Sequence, residues 1–567
     1  MKIDQLAAPV AVALSPERSA SDLASITSEA LDVLVVGGGI IGAGCALEAA
    51  AAGLSIGLVE AEDFGSGTSS ASSKLVHGGL RYLQSRDFSL VREALRERGA
   101  LLRLAPHLVR PLEFLYPLRH HWERPYVGTG LAIYDMLSRL PGAPPPLPRA
   151  RHLGVRAVRR QAPALNGELL TGAVRYYDAQ VDDARLVISV VRTAASLGAR
   201  VVSRAKVDAL SSTADGGHEA YIDLTDSGER VVVRARAVVA ATGIWSEAFA
   251  RAAGVPSLPL SPSKGVHLVV PRQSIALSDA LICPTRDSVL FVLPWGAHWI
   301  VGTTDTPWPY EERRALVTKR DIDYLLAQLN AVLAHPVGRD EVEATFVGLR
   351  PLVGGGEGPT SRVSREHVVD VPRPGLAVVA GGKLTTFRVM AHDALVAARV
   401  SAGAAAPRFS DVPLVGSAGF EAATANSIGI SAATGLSGDH VRHLFSRYGS
   451  LANEVIGSTA TADPLRPLAG LPAFLRCEVA YAVTHEGARH LDDILSRRLR
   501  ASIEAPDRGE PAIDEVAEIV GPLLGWGSDQ CERERHRWRQ QRAAGIAAEA
   551  LSDDRSALDA GAATAAE

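Results

Sequence analysis

The 567-residue chain predicts an α/β protein in which a parallel, nucleotide-binding sheet is interleaved with an antiparallel one and followed by a helical C-terminal region. Three observations carry this. An apolar run at 31–36 leads into a turn with Gly37, Gly39 and Gly42, then an alanine-rich helical pattern, then a second apolar run ending in Glu60. Alternating apolar patterns recur at 266–270, 289–293 and 298–302. Beyond about residue 400, strand patterns give way to helical periodicity at 438–447, 472–485, 491–500 and 513–524.

The first unit, residues 31–60, has the strand–turn–helix–strand order of a Rossmann-like dinucleotide site. Gly37 permits the tight turn, Gly39 lets a pyrophosphate approach the backbone, and Gly42 lets helix and strand pack closely. The helix N-terminus presents N–H groups and partial positive charge to phosphates. Glu60 is placed to accept hydrogen bonds from a ribose. A polar loop at 63–73 and the segment Lys74-Leu75-Val76-His77-Gly78-Gly79 follow, then an arginine-rich helix at 88–104 closed by Pro106. The proline-rich stretch 141–148 marks a boundary. Strands are expected at 173–177, 201–202, 220–224, 231–234, 238–240 and 376–380, and helices at 183–197 and 321–333.

These elements divide the chain into a nucleotide-binding domain (31–105, 173–260 and 340–400), a substrate or cap domain (106–172 and 261–339) and a helical domain (401–542). Residues 1–30 resemble a signal peptide through Lys2 and the run 7–14, but Asp4, Gln5 and Pro9 interrupt it, so a disordered tail is expected there. The alanine-rich segment 543–567 is expected to be a second disordered tail.

Net charge is −4, which gives no case for nucleic-acid binding. Cys45, Cys283, Cys477 and Cys531 form no C-x-x-C pair, which argues against a zinc site, an iron–sulfur cluster or a disulfide framework and implies a reducing compartment. No metal is called for, and no apolar stretch is long enough to span a bilayer.

The residues that specify chemistry follow Glu60. In the stretch 63–82, hydroxyls and backbone amides can bond phosphates and a polar ring edge, and paired glycines let a flat ring lie on the backbone. Here the chain closely resembles the FAD-dependent glycerol-3-phosphate dehydrogenases, flavoproteins of the glycine oxidase/D-amino-acid oxidase type. The resemblance continues in order through 178–186, Ala241-Thr242-Gly243-Ile244-Trp245, Lys264-Gly265-Val266-His267, Gly302-Thr303-Thr304-Asp305, Gly348-Leu349-Arg350-Pro351-Leu352, Gly381-Gly382-Lys383-Leu384-Thr385-Thr386 and 484–500. One departure is Ile41, where the family usually carries Asn.

The resemblance implies FAD held by Gly37, Gly39, Gly42, Glu60, Thr68, Ser69, Ser73, Lys74, His77, Gly78, Gly79, Val207, Thr242, Gly243, Gly382, Lys383, Leu384 and Thr385. It implies a glycerol 3-phosphate pocket with Arg81 and Tyr82 on one side and Arg350, Arg365 and Lys383 on the other, and with His267 as a further candidate. Arginine suits a phosphate dianion because its planar fork bonds it bidentately and stays charged. The general base is left open among His77, His267 and Lys383. The arginine-rich helix and the aromatic stretch 112–137 read alone as solvated faces. The resemblance implies peripheral attachment to the inner face of the cytoplasmic membrane and electron delivery to a membrane quinone. Self-association is left open. Rival readings are an oxidase making hydrogen peroxide, an amino-acid oxidase of the same fold, and a flavin-binding sensor or assembly protein without turnover.

Overall fold

The computed structural model describes residues 3–80, 87–139, 147–285, 289–312, 314–354, 366–505 and 507–566. The fingerprint strand Leu31–Val36 lies at the centre of an eight-stranded sheet among the described residues. It pairs in parallel with Ile56–Val59 on one side and Arg230–Ala240 on the other. Arg200–Val202, Leu376–Gly381 and the antiparallel His367–Arg373 extend the sheet, and the hairpin Ala205–Ser212/His218–Leu224 leans off Arg230–Ala240. All six residues of Leu31–Val36 are apolar except Asp32, because helices or hairpin cover both faces. Helices Ile40–Ala51, Asp183–Ser196 and Phe387–Ser401 bury one face. The hairpin and helix Ser246–Ala252 cover the other.

The second sheet is largely antiparallel. Ser263–Pro271 pairs with Ala344–Arg350, His298–Gly302 and Thr306–Pro307, and the sheet continues to Arg110–Leu118, Gly172–Gln180 and Leu75–Val76. Three strands therefore leave the domain expected of them. Leu75–Val76, Gly172–Gln180 and Ala344–Arg350 fall in stretches assigned to the nucleotide-binding domain yet pair in the second sheet. Strand pairing is decided by ladder partners distant in sequence, which chain proximity does not reveal.

Both expected tails are folded. Residues Ile3–Gln5 pair in parallel with Phe409–Asp411. Pro16–Ser28 is a helix capped by Ser15, with Pro16 in its first turn, and its Ile26 sits in the core of the first sheet. At the other end, Ser528–Ala548 and Asp554–Ala566 are helices. Their alanines favour helix. Their acids meet cations: Asp554 lies 2.5 Å from the buried Lys264, and Glu549 lies 2.5 Å from Arg508. The helical C-terminal region is present, with Ile513–Leu524 at its expected bounds. The segment 472–485 instead begins as a strand, Leu471–Leu475, before turning helical at Arg476. Residues Asp493–Arg498 wind as a π-helix.

Candidate active site

The glycine turn is fixed by steric necessity. Gly37 has φ +105°, and a Cβ there would lie 2.6 Å from the Ala241 carbonyl. A Cβ on Gly42 would lie 1.8 Å from the Gly37 carbonyl, so helix and strand meet only because both are glycine. Gly39 caps the helix without a side chain of its own. The Ile40 N–H instead donates to Ser69 Oγ at 3.0 Å, which ties the polar loop to the helix N-terminus. Glu60 accepts from Gly38 N at 2.5 Å and Glu62 N at 2.8 Å. Burial outweighs these bonds and pushes its carboxyl up to about 7.

A cavity of about 880 Å³ opens over this turn. Its wall contains Gly37, Gly39, Glu60, Thr68, Ser69, Val207, Thr242, Gly243, Gly382, Lys383 and Leu384. Gly42 lies behind the turn. Arg204, Lys206, Ser72, Trp245 and Met390 also line the cavity, and sequence reasoning did not select them. Only Arg204, on its left-handed backbone at φ +59°, stands out locally, and that conformation is invisible in sequence. The glycine cradle, the helix N-terminus and the cavity that opens over them fit a dinucleotide.

The loop from Ser70 to Gly79 runs from this cavity to the second sheet. Its anchor is Lys74, at φ +59° and fully buried, whose Nζ lies 2.8 and 2.9 Å from the Asp183 carboxylate and 2.7 Å from the Ser70 carbonyl. The Lys74 charge thus belongs to the scaffold, and so does its backbone: its N–H donates to Ser72 Oγ at 3.1 Å and its carbonyl accepts from Val181 N at 2.9 Å. Ser72 N and Oγ also donate to Asp183, at 2.9 and 2.7 Å, and Arg500 of the C-terminal domain reaches the same carboxylate. Burial, then Arg500, lowers the Lys74 amine to about 8, against the opposing pull of Asp183. His77 and Thr385 exchange bonds: His77 N donates to Thr385 Oγ1, which donates to the His77 carbonyl, both at 3.1 Å. Gly78 N donates to Tyr134 Oη at 2.8 Å; a Cβ there would lie 2.5 Å from that oxygen. Tyr134 in turn donates to Asp178, which Arg98 holds at 2.6 Å. Tyr134 belongs to the aromatic stretch 112–137, yet it lies on no solvated face: it is buried and braces the loop. Gly79 has φ +75°.

On the second sheet, Arg350 and His267 come from paired strands. The Arg350 guanidinium donates to Thr303 Oγ1 at 2.9 Å and the Thr304 carbonyl at 3.0 Å, and lies 3.5 Å from Asp305. A Cβ at Gly265 would lie 2.5 Å from Arg350 Nη2, and one at Gly302 would lie 2.4 Å from His267 Cδ2. The glycines of the Lys264-Gly265-Val266-His267 and Gly302-Thr303-Thr304-Asp305 motifs are therefore space for these two side chains. His267 stacks on Phe346, with ring centres 4.6 Å apart, and its Nε2 is 2.8 Å from Ser73 Oγ. Burial, then Arg350 and Lys74, holds its imidazole well below the ordinary range, so the ring is neutral. This links the sheet to the loop through Ser73. Lys264, from the same motif, is buried between Asp321 and Asp554 and has a structural role. Lys383 stands on a turn where Gly381 and Gly382 have φ +82° and +76°. Arg81, Tyr82, Arg365 and most of the proline-rich boundary lie outside the described residues.

The fold and cavity define a flavoprotein oxidoreductase: residues 32–392 match the FAD dependent oxidoreductase family, and residues 409–531 match the C-terminal domain of alpha-glycerophosphate oxidase. FAD is its cofactor. Glycerol-3-phosphate dehydrogenase 2 of Mycobacterium tuberculosis is 45% identical over 556 residues, 96% of this chain and 94% of its own. The mitochondrial glycerol-3-phosphate dehydrogenase of Bos taurus is 34% identical over 545 residues, 92% of this chain and 74% of its own. A solved glycerol-3-phosphate dehydrogenase of Bacillus halodurans, complexed with FAD, superposes with a TM-score of 0.76 at 26% identity, over 93% of this chain and 97% of that one. The chain belongs to the FAD-dependent glycerol-3-phosphate dehydrogenase family.

Proposed function

We propose that the chain oxidises sn-glycerol 3-phosphate to dihydroxyacetone phosphate and passes the electrons to a membrane quinone. The observation that carries the reading is Arg350, held rigidly beside neutral His267, in a chain 45% identical to a glycerol-3-phosphate dehydrogenase over 96% of its length. FAD, when bound, supplies a two-electron acceptor at N5. Arg350 grips the phosphate, and the resemblance assigns Arg81, Tyr82 and Arg365 to the same task. Lys383 offsets negative charge at the cofactor. His267 takes the proton of the C2 hydroxyl. Arg350 and Lys74 oppose its protonation; a phosphate dianion arriving there counters that field and raises its basicity.

Attachment at a membrane surface is supported by helix Glu123–Leu137 and its cap, where Trp122, Tyr126 and Met136 are 64%, 57% and 58% exposed beside Arg124. Such amphipathic aromatics suit a headgroup layer. No helix among the described residues is long and apolar enough to cross a membrane.

Anaerobic mixing of the holoprotein with glycerol 3-phosphate tests the reading. The flavin absorbance should bleach, and a quinone analogue should restore it faster than air. Unchanged colour refutes the substrate. Rapid recovery in air alone, with one peroxide formed per substrate oxidised, refutes the acceptor.

A further inference from the structure

Among the described residues, the wall of the cofactor cavity draws one from beyond position 390, Arg537. It stands on helix Ser528–Ala548, and both family matches stop short of it, at residues 392 and 531. Three sets of contacts fix this helix and the segment that follows. Glu534 pairs with His490 at 2.8 Å and accepts from Leu491 N at 3.3 Å, and Trp538 packs into the apolar core of the helical domain. Glu549 accepts from Thr345 Oγ1 at 2.6 Å and lies 2.5 Å from Arg508. Asp554 holds Lys264, and Lys319 N donates to the Leu551 carbonyl at 2.8 Å. The C-terminal helices therefore strap the helical domain to the second sheet. Glu534 and Trp538 flank Arg537 in sequence and set its place at the cavity.

We propose that Arg537 is a cofactor-binding residue: it pairs with the pyrophosphate of FAD, and through it the C-terminal strap retains the cofactor. Arg537, Glu62, Ser66, Gly67 and Thr68 line both this cavity and an adjoining one of about 780 Å³, so they share a rim. Through Ser69 the same loop reaches the N-terminus of helix Ile40–Ala51, the anion site of a dinucleotide fold. The acids in the crevice under Arg537 already have cations. Glu62 is on Arg314, Asp492 and Asp493 are on Arg497, and Glu534 is on His490. Among the described residues, none makes a hydrogen bond or ion pair with Arg537. The pyrophosphate carries all the negative charge of oxidised FAD. A guanidinium suits it, because its fork bonds phosphate oxygens and keeps its charge. The role concerns retention of the cofactor and is independent of substrate and acceptor.

Arg537→Gln and Arg537→Lys test this, beside Arg533→Gln, which removes the same charge one turn earlier. Arg533 is exposed on the same helix and is not part of the cavity wall. Each holoprotein is diluted at low and at high salt, and released FAD is followed by flavin fluorescence. Thermal melts are run with increasing added FAD. Arg537→Gln should release FAD about tenfold faster at low salt, the worth of one charged hydrogen bond. High salt should narrow the gap. About tenfold more added FAD should restore the parent's melting temperature. Arg537→Lys should recover much of the retention, and Arg533→Gln should match the parent. Release at the parent rate in Arg537→Gln overturns the proposal. So does equal acceleration in Arg533→Gln, which would mark a field spread over the helix, or a melting deficit that added FAD does not reverse, which would mark a structural role. A raised KM for glycerol 3-phosphate with FAD released at the parent rate would give Arg537 to the substrate and overturns it as well.

Discussion

Replacing Asp183 with Asn removes the carboxylate on which two buried cations, Lys74 and Arg500, converge. The carboxylate receives Lys74 Nζ at 2.8 and 2.9 Å, Ser72 N and Oγ at 2.9 and 2.7 Å, Ala184 N at 2.9 Å, and Arg500. Asn keeps the shape and loses the charge. Breaking a buried ion pair from one side costs about 3–5 kcal/mol. An independent ceiling comes from the lysine itself. Lys74 can escape by shedding its proton, which from its folded value of about 8 costs only about 1.4 kcal/mol at pH 7, so the lysine's share is capped there and the rest of the loss falls on Arg500 and the lost hydrogen bonds. The expected loss at pH 7 is therefore about 3–5 kcal/mol. The pH dependence has a definite sign. In the parent, Lys74 titrates near 8 and is charged below that. In the variant it is neutral at lower pH, while the unfolded chain still binds the proton. Wherever the unfolded state holds more protons, stability rises with pH. The variant thus recovers relative to the parent as pH rises toward 8, and the gap is constant above. Urea unfolding at pH 6.0, 7.0, 8.0 and 9.0, followed by circular dichroism and by flavin release, measures it. A gap that stays flat from pH 6 to 8, or one within the roughly 0.5 kcal/mol typical of surface sites, refutes the reasoning.

Three further outcomes are expected. Arg350→Ala should purify with full flavin yet lose at least about a hundredfold in kcat/KM for glycerol 3-phosphate, because two charged hydrogen bonds of roughly 1.5–3 kcal/mol each disappear; steady-state kinetics beside a flavin spectrum checks both halves. Gly39→Val should purify colourless, since the new side chain starts 3.1 Å from Ser69 Oγ and stands where the pyrophosphate must pass; a yellow variant contradicts the turn assignment. His490 bridges Glu534 at 2.8 Å and Asp226 at 3.2 Å, and these carboxylates outweigh burial and raise it to about 9. Its contribution is complete below its ordinary 6.5 and lost as pH rises through 9. Thermal melts should therefore show His490→Gln costing stability at pH 6 and almost none at pH 10.

Much of the site was legible because sterics wrote it into the sequence. Gly37 and Gly42 admit no other residue, and the apolar strand before them and Glu60 after them fix their context. Helices such as Phe88–Leu104 and Ile513–Leu524 carry their limits in their own periodicity. What stayed hidden depends on partners far along the chain. The helix at Pro16–Ser28 had a start signal, Ser15 followed by Pro16 and Glu17, but its reason to be ordered is the buried Ile26 against the first sheet. Asp554 reads as a solvated acid until the fold brings it to Lys264. Arg98 and Tyr134, which brace the cofactor loop through Asp178, look like members of an arginine-rich helix and an aromatic stretch. Lys74 belongs to a cofactor motif, yet its ammonium faces the scaffold.

The π-helix Asp493–Arg498 and the residue two places beyond it send Arg497 and Arg498 to Asp63, and Arg500 to Asp182 and Asp183. Asp183 in turn holds Ser72 and Lys74 of the loop that runs from the glycine turn to the second sheet. A fragment severed near residue 400 would strip Asp63 and Asp182 of these arginines and leave Asp183 with Lys74 alone. Residues before position 400, expressed alone, should therefore mature poorly and purify with little colour.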